Sequence, residues 1–294
     1  AGLGLGLGQI AAGGLALGAA AAVASDSDSD DGGGGAAESE TAYVIDGYLA
    51  GARVFHDADE NGRWDEGELY DTTKDDGSFD PSIFGADMVL TSTGGIDIST
   101  GAPFTGTLTA PAGSTVVTPL TTLVQSLVEA TAEDDEPLDA AEAEEVIKTK
   151  LGLDADADLT TLDPVEAAEA GDTAPMKKAA QVANVLALAE QNGGDSADVA
   201  RELAQALNDA LNDPEGAENP LQDSESIKAA LEAGGVSPET SQDIADEAKT
   251  ANDTVDEAED LADIEEEQAK VAGETTALRP TLAEVDTEID AAEA

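Results

Sequence analysis

The pattern of apolar positions changes character three times along the chain. Leu3, Leu5 and Leu7 alternate strictly with Gly2, Gly4, Gly6 and Gly8, which is the period of an extended strand with one apolar face. The stretch after it, AAGGLALGAAAAV, has no polar face. From residue 41, short runs rich in Val, Ile, Tyr and Phe are punctuated by glycine turns. They are Tyr43–Phe55, Glu68–Phe79 with the turn Asp75-Asp76-Gly77, Ile83–Leu90 with the turn Thr93-Gly94-Gly95, and Phe104–Ala110. Runs of this kind predict strands. After Pro111 and Gly113 the period becomes helical. Val117, Leu120, Val124, Leu127 and Val128 stand three to four apart in Ser114–Ala130, with Pro119 in the first turn. Further helices are predicted over Leu138–Leu151, Ala174–Gln191, Ser196–Leu211, Ser224–Ala233, Pro238–Val271 and about Thr281–Ala294. Asp195 or Ser196, Asp223 or Ser224, and Ser237-Pro238 read as starts; Gly193-Gly194 and Gly234-Gly235 read as stops.

The expected fold class is therefore α+β. Residues 1–24 form an apolar Gly/Ala-rich segment and residues 25–40 an acidic linker of low complexity. Residues 41–112 are expected to form a small β-sandwich. Residues 113–294 are expected to form a helical domain with an acidic helical tail.

Charge narrows the setting. The formal net charge is −53, from 65 Asp plus Glu against 12 Lys plus Arg. Self-repulsion on this scale opposes a compact state. It is screened in saline surroundings, where the Debye length falls to about 3 Å at 1 M salt. Nucleic acid is excluded as a partner for want of clustered Lys and Arg, and an anionic membrane surface for the same reason. The absence of cysteine rules out disulfides, thiolate-held metals and a thiol nucleophile. With aromatics at 3% of the chain, the core must be built from Ala, Leu, Val and Ile.

One stretch carries specific chemistry. Residues 57–68 read DADENGRWDEGE. Asp57, Asp59, Asn61, Asp65 and Glu68 occupy the first, third, fifth, ninth and twelfth places of a calcium loop, with Gly62 at the sixth, where the loop must turn sharply. Arg63, at the seventh, offers its backbone carbonyl. A hard cation needs six to eight oxygens, and this spacing wraps them around one point. The flanks read as strands and not helices, so Ca2+ here is expected to staple a sheet.

These blocks, VIDGYLAGARVFHDADENGRWDEGE, DDGSF, GGIDISTGAPFTGTLTAPAGSTVVTPLTTLV and LGLDADADLTTLDP, occur in an order that resembles a module of large secreted adhesins and surface proteins of marine and other Gram-negative bacteria. The likeness covers roughly residues 41–190. The first part is similar to the prealbumin-like β-sandwich domains of such adhesins, which carry a related calcium turn. The resemblance implies an extracellular, non-enzymatic building block, with Asp57, Asp59, Asn61, Asp65 and Glu68 as calcium ligands.

Other positions read more plainly. His56, the only histidine, is a strand-end residue. Asp154, Asp156 and Asp158 alternate in LDADADL but lack the glycine turn and terminal Glu of a second loop. Asp75, Asp76 and Asp80 suit a hairpin turn, and Trp64 is expected to shield the metal. Three readings of residues 1–24 stand side by side: a signal-peptide core, a membrane span, and a donor strand in which Leu3, Leu5, Leu7 and Ile10 contact a neighbouring subunit. The functional expectation is a secreted, calcium-stabilised structural subunit that self-associates into a homopolymer. The alternative is an adhesin module that recognises carbohydrate or another surface.

Overall fold

The computed structural model describes residues 41–212 and 219–276. The N-terminal segment with Leu3, Leu5, Leu7 and Ile10, the linker, and the helix expected at 281–294 lie outside the described residues.

The first strand block breaks where its glycines require. It yields β1 (Ala42–Val44), β2 (Leu49–Ala50) and β3 (Arg53–Phe55). A tight turn at Asp46-Gly47 separates the first two, with Ile45 bridged to Tyr48, and Gly51 (φ +71°) separates the next. The calcium-type loop then leads to β4 (Tyr70–Thr72) and β5 (Ser78–Phe79). Residues 83–90 are not the strand that their composition suggested. Asp80 caps a 3-10 turn at Pro81–Ile83, accepting from Ser82 N at 2.9 Å, and β6 begins only at Leu90 (Leu90–Thr93). β7 (Ile96–Asp97), β8 (Thr107–Ala110) and β9 (Val116–Val117) complete the strands. They form three sheets, ordered β5-β1-β9, β2-β7 and β4-β3-β6-β8, with only β1 and β9 parallel.

Both outer edges of the four-stranded sheet are engaged by side chains. On β8, Thr109 N donates to Thr122 Oγ1 at 2.9 Å, and Thr109 O accepts from Thr121 Oγ1 at 2.8 Å. On β4, the Asp71 carboxylate accepts from Thr72 N at 2.8 Å and Asp80 N at 3.0 Å. A free sheet edge is a template for another chain; on β8 the Thr109 amide and carbonyl are both taken, and on β4 the Thr72 amide is.

Helices follow: α1 (Pro119–Thr131), α2 (Ala140–Leu151), α3 (Pro164–Glu169), α4 (Ala174–Gln191), α5 (Ser196–Asn212), α6 (Ser224–Ala233), α7 (Ser241–Glu257) and α8 (Leu261–Thr276). Their starts are chemically marked. Thr118 and Thr121 form a reciprocal capping box on α1, as do Asp139 and Glu142 on α2. Asp163 caps α3 ahead of Pro164, a start that periodicity missed because the helix is so short. The single helix expected over 238–271 is two. Asp263 N donates to Asp260 Oδ1 at 3.1 Å, and Glu259 N to Asp263 Oδ2 at 3.1 Å. That local exchange competes with helix and restarts it.

Strand and helix share one interior. Leu108 and Ala110 of β8 lie in the same apolar cluster as Leu120, Leu123 and Leu127 of α1 and Val182 of α4. The described residues belong to one compact unit. The change at residue 112 is therefore one of secondary structure, with the core continuous across it. Both faces of α1 and α4 are covered, so these two helices read as nearly continuous small and branched apolar residues. Among the described residues no helix is long and apolar enough to cross a membrane.

Candidate metal centre

The loop at 57–68 is tied down at its base. His56 N donates to Leu69 O at 3.1 Å, so β3 and β4 hold its two ends together. Inside it, carboxylates collect backbone amides. Asp57 Oδ2 accepts from Gly62 N at 2.6 Å, and Asp57 Oδ1 accepts from Asn61 N at 3.2 Å. Glu68 reaches back across the loop, with Oε1 accepting from Ala58 N at 2.8 Å and Oε2 from Asp65 N at 2.9 Å. Gly62 takes φ +74°, the left-handed conformation that the sharp turn demands.

The outcome is convergence. One carboxylate oxygen each from Asp57, Asp59 and Glu68 lies within 4.8 Å of the others. Among the described residues none of the three pairs with Lys or Arg. Three like charges so close repel one another, and a cation between them reverses the sign of that interaction. These residues can hold a metal ion.

The remaining loop positions bond to one another. Asn61 Nδ2 donates to Asp65 Oδ2 at 2.7 Å, and Asn61 Oδ1 accepts from Arg63 N at 2.9 Å. Asp65 is outside the trio, as suits a ninth position, which often reaches the ion through water. Trp64 packs over the end of the loop. Its Nε1 donates to Glu68 O at 3.3 Å, Arg53 lies 4.6 Å from its ring centroid, and Tyr70 meets it edge-on at 5.0 Å.

The other acidic positions take structural roles. His56 Nδ1 lies 3.2 Å from Val89 O and is no part of the trio. Hydrogen bonds from Ser78 and Ser82 hold the carboxyls of Asp76 and Asp80 below the usual carboxylate range, as turn caps. The LDADADL segment already has its cation. Lys148 Nζ donates to Ala155 O at 3.1 Å and Ala157 O at 2.9 Å, and pairs with Glu144 at 3.2 Å. Burial alone would lower the Lys148 pKa, but Glu144 and Glu145 outweigh it and raise it. Asp46, Asp97 and Gln268 form a further polar group that periodicity and motif reading did not single out; Gln268 Nε2 donates to Asp46 O at 3.1 Å.

No protein-family model matches the chain, and no curated protein or solved structure is detectably similar to it.

Proposed function

We propose that this chain is a secreted, calcium-stabilised structural subunit of a bacterial cell-surface or biofilm-matrix assembly, joined to its neighbours through residues 1–10. The observation that carries the calcium part is the convergence of Asp57, Asp59 and Glu68 on a loop that links two strands. All candidate ligands there are oxygens, the donor set of a hard cation, and the twelve-residue spacing with Gly62 at the turn is that of calcium. The loop is anchored on a sheet and not between two mobile helices, so the ion acts as a staple. A net charge of −53 supports a saline, calcium-bearing exterior as the working environment.

The self-association part rests on the alternating leucines of residues 1–7. An incoming strand would meet the Thr109 groups of β8 already taken by Thr121 and Thr122, and the Thr72 amide of β4 taken by Asp71. The carbohydrate reading draws less support, because the ring of Trp64 carries Arg53 against its face.

Electron microscopy of the full-length protein, with calcium and with chelator, is the test, run beside a variant lacking residues 1–10. Filaments from the intact chain and calcium-binding monomers from the truncated one are expected. A full-length protein that stays monomeric in calcium, or a truncated one that forms the same filament, overturns the assembly reading. Calorimetry with no calcium binding overturns the metal reading.

A further inference from the structure

Behind the Asp46-Gly47 turn lies a cavity of about 530 Å³, bounded by the β7–β8 connection, α4 and α8. That volume is in the range of small-molecule sites. Its polar end is built from two turns held close together. A side chain at Gly47 would run into the Asp97 carboxylate, so glycine is what brings Asp97 beside Asp46. Asp97 is itself fixed. Its Oδ1 accepts from Ser99 N at 2.8 Å and Ser99 Oγ at 2.9 Å, and its Oδ2 from Thr100 Oγ1 at 2.9 Å. With both oxygens engaged, the Asp97 carboxylate is held in place beside Asp46.

Gln268 supplies a second, independent observation. It is 6% exposed and lines the cavity, yet its Oε1 has no hydrogen-bond partner. Turning the amide over gains nothing. The Nε2 already serves two acceptors, Asp46 O at 3.1 Å and Asp46 Oδ1 at 3.2 Å, and an oxygen in its place would face both. A buried acceptor without a donor is costly. Among the described residues, Gln268 alone donates to the Asp46 carboxylate through a side chain. Desolvation and the nearby Asp97 charge push the Asp46 carboxyl up to about 7, against the lowering effect of Gln268.

The site thus presents acceptors and negative charge, and no Lys, Arg or His lines it. Its occupant must bring donors and positive charge. A bare metal ion suits it poorly. The space greatly exceeds one ion, and the only trio of carboxylates gathered for a metal among the described residues is Asp57, Asp59 and Glu68. Phe104, Ala187 and Val271 give the rest of the wall apolar surface between the polar Thr100, Thr105, Asn184 and Gln191, and a further carboxylate, Glu190, lines it too. Lining positions on α4 run from Ala183 to Gln191, or about 12 Å at ~1.5 Å per residue.

We propose that this cavity binds a linear organic diamine. One ammonium group takes Asp46 and the free Gln268 Oε1 beside the Asp97 charge, the methylene chain lies on Phe104, Ala187 and Val271, and the second ammonium reaches Glu190.

The test is calorimetry on the full-length, calcium-loaded protein with 1,5-diaminopentane, n-pentylamine and 1,5-pentanediol. It is run in 1 M NaCl, where a Debye length of about 3 Å suppresses diffuse attraction to so acidic a chain. Saturable one-site binding of the diamine is expected, at least tenfold weaker binding of the monoamine, and none of the diol. Asp46→Asn should weaken diamine binding at least tenfold, and Ala187→Phe should block it by filling the space without altering charge. Glu68→Gln should leave it unchanged. Absence of saturable diamine binding to the wild type overturns the proposal outright. So does equal binding of diamine and monoamine, or unchanged binding in either cavity variant that melts no lower than the wild type.

Discussion

Asp57 Oδ2 accepts the Gly62 amide at 2.6 Å, closing the loop from its first position to its sixth. A carboxylate so placed orients the turn and still faces Asp59 and Glu68. The LDADADL segment solves a similar problem differently. There the Lys148 ammonium collects Ala155 O and Ala157 O, and no carboxylate trio forms among the described residues. Two acidic loops in one chain therefore differ in whether the positive charge is built in or recruited.

Glu68 is the residue on which recruitment depends. Its two oxygens hold Ala58 N and Asp65 N, so Glu68→Gln removes a charge and turns an N–H donor toward a backbone N–H. Changes to residues that merely support metal ligands cost ten- to a hundredfold in affinity. Loss of a ligand charge should weaken calcium binding by at least about tenfold. Calorimetric titration of the variant showing wild-type affinity would remove Glu68 from the site.

Salt and calcium should stabilise the fold separately. Raising NaCl from 0.1 to 1 M shortens the Debye length from about 10 to about 3 Å and relieves diffuse repulsion. Calcium adds a binding term that depends on its concentration over Kd. The melting temperature should rise with both. In Glu68→Gln the sodium effect should persist while the calcium increment shrinks. A calcium increment of equal size in both proteins places the stabilising ion elsewhere.

The convergence of Asp57, Asp59 and Glu68 was legible in the sequence because a chelating loop fixes residue types at set spacing within one contiguous stretch. The helix starts at Asp195 and Asp223 were legible for a related reason, since each cap falls within three residues; the start expected at Ser114 lies instead at Pro119, because Val116 and Val117 pair as strand β9. Chemistry between distant residues left no such trace. Gln268 and Asp46 are 222 positions apart, and neither has an unusual neighbourhood in sequence. The restart at Asp260 was readable in principle from Asp260 and Asp263. It was masked by apolar positions that continue at helical spacing on both sides.

Lys148 should be among the most consequential cations of the fold. Its side chain is 10% exposed and that of Glu144 12%. Lys148→Met leaves two carbonyls without their donor and Glu144 with the Leu159 amide but no counter-charge, and breaking a buried pair this way costs about 3 kcal/mol. Lys270, itself 59% exposed and paired with the exposed Glu266 as well as with Glu267, serves as the control. Lys270→Met should leave the melting temperature essentially unchanged. Chemical denaturation of both variants checks the contrast, and equal midpoints would refute it.

Asp46 gives a pH dependence with a definite sign. Burial and the Asp97 charge raise its pKa from the ordinary 3.8 to about 7. It is half-buried and lines the cavity. The folded state thus holds the Asp46 proton more tightly than the unfolded chain does. Below pH 4 both states are protonated and the contribution is fully present. Between about 4 and 7 the folded state binds more protons, so stability falls as pH rises; above 7 the contribution is lost. Asp46→Asn fixes the neutral form, and its side-chain oxygen can still accept from Gln268. Because many other carboxylates titrate in this chain, the informative quantity is the difference between variant and wild type without amine present. The variant's advantage in melting temperature should be small near pH 4, grow through pH 5 and 6, and level off above pH 7. A difference that stays flat from pH 4 to pH 8 would show that the Asp46 carboxyl is ionised in the folded protein throughout.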